Sequence, residues 1–154
     1  QRQMCIRDSA NCFERSLKIG HITGSAWIVD RSETRVLLTH HRKLGIWVQL
    51  GGHADGNPDV LDAALREALE ESGLEKLSFV SRDIFDLDVH TIPARKSEPE
   101  HLHYDVRFTI KHTGDEDFVV SEESHDLAWI PIDEIESVTQ EESMLRMARK
   151  WLER

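Results

Sequence analysis

Residues 59–72, DVLDAALREALEES, limit the fold more than any other stretch of the 154-residue chain. Val60, Leu61, Ala64, Leu65, Ala68 and Leu69 recur at intervals of three and four. That period belongs to an α-helix with one apolar stripe, and such a helix is stable only when the stripe is buried against a second layer. Asn57 and Pro58 precede the run, a favoured N-cap and a favoured first helical residue, so the helix is expected to begin there; Gly73 supplies the stop. Opposite the stripe, Glu67, Glu70 and Glu71 stand at i, i+3 and i+4 and share a face. Like charges at that spacing repel, and the last turn of a helix favours cations over anions. A solvated acidic face and a set of oxygen ligands both fit this spacing.

Around the helix the periodicity is that of strands. Residues 21–29 and 35–41 are β-rich and flank the turn-prone Asp30-Arg31-Ser32-Glu33, which predicts a hairpin. Residues 47–50 read as a short third strand, followed by Gly51-Gly52 and a polar loop. Residues 77–89 should contain strand. Residues 101–110 alternate, placing His101, His103, Asp105 and Arg107 on one face and Leu102, Tyr104, Val106 and Phe108 on the other, so one face is expected to be wet. Residues 127–130 suggest a last strand, and residues 141–152 close the chain as an amphipathic helix through Met144, Leu145, Ala148, Trp151 and Leu152. The class is α/β, of the α+β kind. No repeat or linker divides the chain, so residues 11–154 are expected to form one domain and residues 1–10 a leader, disordered or foreign to it.

A net charge of −10 argues against a nucleic-acid polymer as partner, because phosphate backbones are gripped by basic surfaces. A small phosphate-bearing substrate stays compatible with acidity when cations reverse the local field. No apolar run approaches the ~20 residues of a membrane span, and no secretory signal pattern precedes the first strand, so the expected setting is the cytoplasm. Either a monomer or a homodimer fits.

Gly52 through Leu74 reads GHADGNPDVLDAALREALEESGL, which resembles the Nudix box, with Gly52, Arg66, Glu67, Ala68, Glu70, Glu71, Gly73 and Leu74 in register. The resemblance implies an α/β/α sandwich with a mixed sheet and a hydrolase of phosphoric anhydrides acting on a small nucleotide or diphosphate substrate. It implies Mg²⁺ or Mn²⁺ held by Glu67, Glu70, Glu71 and the Gly52 carbonyl, with Arg66 completing the catalytic set and Glu123, from a loop before the last strand, as a further carboxylate. Pro58 stands where the family has a glutamate that pairs with the box arginine. Asp62, four residues before Arg66 on one helical face, is expected to take over that pairing.

His101, His103 and Arg107 are expected to line a substrate pocket, with Arg107 on a phosphate. Two histidines on one strand also suit zinc, but no third ligand is evident in the sequence. His53 occupies a position resembling a metal-binding histidine of isopentenyl-diphosphate isomerases, which makes such an isomerase the alternative enzyme; no cysteine stands beside Gly51 as that enzyme requires. A catalytically silent Nudix-fold module that senses nucleotides is the alternative of a different class, against which the three retained glutamates speak.

Overall fold

The computed structural model describes residues 11–41, 45–114 and 126–154. The expected hairpin pairs β1 (Gly20–Val29) with β2 (Arg35–His41), Ile28 opposite Leu37. One buried carboxylate closes its turn. Asp30 accepts hydrogen bonds from the Ser32 hydroxyl and from the backbone N–H groups of Thr34 and Arg35, and pairs with the Arg35 guanidinium at 2.7 Å. The expected third strand is in fact two: β3 (Ile46–Val48) pairs with β2, and β4 (Leu50–His53) pairs with β1. Gly51 and Gly52 therefore lie inside a strand rather than in a loop. The reason is close approach, since a Cβ at Gly51 would lie 2.7 Å from the Gly24 carbonyl oxygen of β1.

The chain continues with α1 (Val60–Ser72), β5 (Leu77–Phe79), β6 (Asp86–Ile92), β7 (His101–His112), β8 (Leu127–Pro131), a 3-10 turn (Ile132–Ser137) and α2 (Glu142–Glu153). All the strands join one mixed sheet, in which β1 and β7 run parallel from Gly20 opposite Leu102 to Val29 opposite Lys111 and the other pairs are antiparallel. Alternation along β1 sends Ala26 and Ile28 to one side, where they meet Leu50, Ala68, Leu74 and Ile110 beneath α1. Trp27 and Val29 face the other side and meet Ile132, Met144, Met147 and Trp151 beneath α2. Two helical layers thus sandwich the sheet, as the resemblance implied. Among the described residues no helix is long and apolar enough to cross a membrane.

The start of α1 differs from expectation. Asp59 is the N-cap, its carboxylate accepting from the Asp62 N–H, while the Asn57 side chain accepts from the Asp59 N–H and so shapes the turn ahead of the helix. Leu61, Ala64 and Ala68 are buried, and Gly73 ends the helix in the left-handed region at φ 69°, its N–H bonded to the Leu69 carbonyl. Gly24 lets this helix settle, because a Cβ there would sit 2.9 Å from the Val60 carbonyl oxygen. The expected wet face of β7 is also corrected: Asp105 and Arg107 are each only 2% exposed, covered by β6 and by basic side chains of α2.

Candidate active site

The last two turns of α1 lie across β4. The Glu67 carboxyl stands directly over Gly52, where a Cβ would come 2.5 Å from the carboxyl carbon. Arg66 donates to the His53 carbonyl at 3.0 Å and to Glu67 at 3.3 Å, so it ties the helix to the strand and orients that carboxyl. The Glu71 carboxyl lies beside that of Glu67 and near the Gly51 backbone. Burial of its carboxyl, then the negative charge of Glu67, push Glu71 up to about 7, although its side chain keeps an exposed flank. Glu70 adds a smaller push in the same direction.

Two carboxylates in contact are stable only with a proton between them or a cation beside them. Hard oxygen donors on a rigid helix suit Mg²⁺ or Mn²⁺, and a divalent ion would remove the repulsion that now raises Glu71. The residues present therefore fit the metal that the sequence implied, with Glu67, Glu71 and the Gly52 backbone in one cluster and Glu70 one turn away. Asp62 does not pair with Arg66. Its carboxylate accepts from the Asn57 amide at 2.9 Å, a partner made available by the turn before the helix, and Arg66 turns instead to His53 and Glu67. Glu123 lies outside the described residues.

His101 and His103 do come together, on the sheet face opposite α1. The parallel register of β1 and β7 sets His21 opposite His103, and β4 brings His53 alongside. The His21 ring lies 5.2 Å from that of His101, 4.7 Å from His103 and 5.0 Å from His53. Burial, reinforced by neighbouring imidazoles, lowers His21 to about 4 and His103 to about 3, so both rings are neutral near pH 7. His21 escaped sequence reasoning because only the pairing of strands some eighty residues apart places it beside His103.

Arg107 does not join this pocket wall. Its guanidinium bonds Asp105 at 2.8 Å and Asp86 at 3.1 Å, with Asp88 at 3.6 Å. A cation so enclosed by carboxylates of its own and a neighbouring strand has no free face to offer a phosphate.

Comparison with known proteins agrees with this layout. The C. elegans Ap4A hydrolase in a binary complex superposes with a TM-score of 0.65 at 19% identity, covering 86% of this chain and 95% of that one. The E. coli dihydroneopterin triphosphate pyrophosphohydrolase gives 0.65 at 15% identity, over 86% and 96%. These likenesses concern the fold. By sequence, the m7GpppN-mRNA hydrolase NUDT17 of Bos taurus is 40% identical over 57 residues, a match spanning 34% of this chain and 19% of that protein. The NUDIX domain matches residues 21–153, nearly the whole described chain. With its glutamate helix laid across the paired glycines of β4, the chain belongs to the NUDIX domain family.

Proposed function

We propose that this protein is a Mg²⁺- or Mn²⁺-dependent pyrophosphohydrolase that cleaves a phosphoric anhydride bond in a nucleoside diphosphate linked to another moiety. The observation that carries the reading is the Glu67 carboxyl standing over Gly52, with Arg66 tying it to β4 and Glu71 one turn on beside it. Similar proteins point the same way: their names specify Ap4A, dihydroneopterin triphosphate and m7GpppN-mRNA as what they act on. Glu67, Glu70, Glu71 and the Gly52 carbonyl would hold the cation, which when bound neutralises phosphate charge and makes water a better nucleophile. Arg66 holds Glu67 in place through two hydrogen bonds.

The test is incubation with nucleoside diphosphate sugars, dinucleotides and nucleoside triphosphates in isotopically labelled water, with and without Mg²⁺. One labelled phosphate product per bond cleaved, abolished by chelator, is expected. An isopentenyl-diphosphate isomerase or a sensing module would return all of these substrates unchanged; that result, or undiminished turnover after chelation, would sink the proposal.

The Glu71 carboxyl also predicts a pH effect on stability. Its folded-state value of about 7 exceeds the ordinary 4.5, so the folded protein holds the extra proton between those values. The stability it contributes is complete below about pH 4.5 and is lost as pH rises through 7. In chelator, Glu71→Gln should therefore gain on the wild type across that window by on the order of 1 kcal/mol, the shift being discounted for solvent screening at a partly exposed group. Excess Mg²⁺ should shrink the gain. Paired thermal melts from pH 5 to 8 check it, and a difference that does not change with pH would refute it.

A further inference from the structure

We propose that His21, His101 and His103 form a binding site for an imidazole-preferring transition-metal cation, Zn²⁺ foremost, on the sheet face opposite the glutamate helix. Each side chain offers one nitrogen, and the three nitrogens all lie within 4.8 Å of one another. Two nitrogens bound to one tetrahedral Zn²⁺ at about 2.05 Å stand roughly 3.3 Å apart. His101 Nε2 and His103 Nε2 are 3.3 Å apart.

The third ring supplies a separate reason. His21 is 2% exposed, and both of its ring nitrogens are buried without a hydrogen-bond partner. The Leu17 carbonyl is close enough to favour the protonated ring slightly, but not at hydrogen-bond geometry. Buried polar atoms are nearly always satisfied, and an orphaned imidazole aimed at two others calls for a shared partner. The surroundings also orient the rings. His101 Nδ1 lies 2.9 Å from the Pro99 carbonyl, to which its N–H donates, and this leaves the Nε2 lone pair facing His103 Nε2, a hydrogen bond that a shared cation would replace.

All three positions are on paired strands, with His21 opposite His103 and His101 two residues before it on the same face, so the set is held rigidly. Nitrogen donors without a carboxylate among them select Zn²⁺ and its neighbours in the first transition row over Mg²⁺. The site is therefore chemically distinct from the oxygen cluster of Glu67, Glu70 and Glu71. Three protein ligands leave a fourth position open, the arrangement of zinc sites that bind water or substrate. The three rings lie on a cavity of about 280 Å³ that Arg15, Lys18 and Glu98 also line, with Arg15 paired to Asp55 at 2.9 Å. That cavity has room for a water as fourth ligand.

The experiment uses the full, untagged chain, stripped of metal and titrated with Zn²⁺ in excess Mg²⁺, with Co²⁺ as a spectroscopic probe. One equivalent of Zn²⁺ per chain is expected, and Co²⁺ should show the visible bands of a nitrogen-ligated ion of low coordination number. His101→Gln and His103→Gln lie at partly exposed positions, and melting of the metal-free variants reports whether each folds. Loss of an outer-shell partner alone typically weakens metal binding 10- to 100-fold, so loss of a ligand should weaken Zn²⁺ binding by at least about 100-fold. Glu70→Gln should bind Zn²⁺ as the wild type does. Absence of stoichiometric binding, wild-type affinity in both folded histidine variants, or an equal loss in Glu70→Gln would overturn the assignment.

Discussion

Glu70→Gln and Glu71→Gln are each expected to slow hydrolysis by two to three orders of magnitude, while the folded state is kept or slightly stabilised. A rate loss of that size corresponds to about 3–4 kcal/mol of transition-state stabilisation, what a misplaced cation would forfeit at a phosphoryl centre. The opposite sign of the stability effect follows from the cluster's electrostatics. Glu71 is raised by burial and by Glu67, and Glu70 adds to the repulsion, so removing one negative charge relaxes the other two. Few substitutions combine a large activity loss with a stability gain, and the combination separates a cation ligand from a residue that merely holds the helix in place. Rates at saturating Mg²⁺ and melting temperatures on the same samples decide it. A wild-type rate in either variant would remove that glutamate from the site, and a rate loss matched by a lower melting temperature would make its role structural.

The glutamate helix was legible because its information is local. Spacing of three and four within residues 59–72 sets both the buried stripe and the acidic face, and Gly73 ends the helix as its type predicts. Local spacing misled where a nearer partner competed: Asp62 is correctly placed for Arg66 on a helix, but the turn ahead of α1 presents the Asn57 amide to it first. Alternation along residues 101–110 told correctly which side chains share a face. It could not tell what covers that face, because the cover consists of Asp86 on β6 and of Arg146 and Lys150 on α2, far along the chain. The same holds for the histidines. His101 and His103 announce themselves as a pair, but their third partner depends on a parallel register between β1 and β7 that no spacing rule encodes.

Asp86→Ala is expected to destabilise the protein by about 3–5 kcal/mol, the usual cost of breaking a buried ion pair from one side. Asp86, with a side chain 1% exposed, accepts from Arg107 at 3.1 Å, from Arg146 at 2.7 and 2.9 Å, and from Lys150. With Asp88 and Asp105 it forms a set of three carboxylates facing three cations, so the balanced network tolerates burial only while it is complete. Burial alone would raise the Asp86 carboxyl, but hydrogen bonds from Arg146 and Lys150 overcome it and hold the group below its ordinary value. The stability Asp86 contributes is therefore present above the unfolded-state value and lost as pH falls through the folded-state value. Asp88→Ala should cost much less, because Asp88 is more exposed and lies farther from Arg107, at 3.6 Å. Arg107 itself decides between two roles. If it ties β7 to β6 and α2, Arg107→Lys should lower the urea midpoint strongly, since an ammonium cannot reach Asp86 and Asp105 together as the guanidinium fork does. If it grips a substrate phosphate, the same variant should keep its midpoint and raise KM. Unfolding curves for Asp86→Ala, Asp88→Ala and Arg107→Lys, beside KM for the last, give the answer, and an Asp86→Ala midpoint close to that of the wild type would show that the network does not hold the layers together.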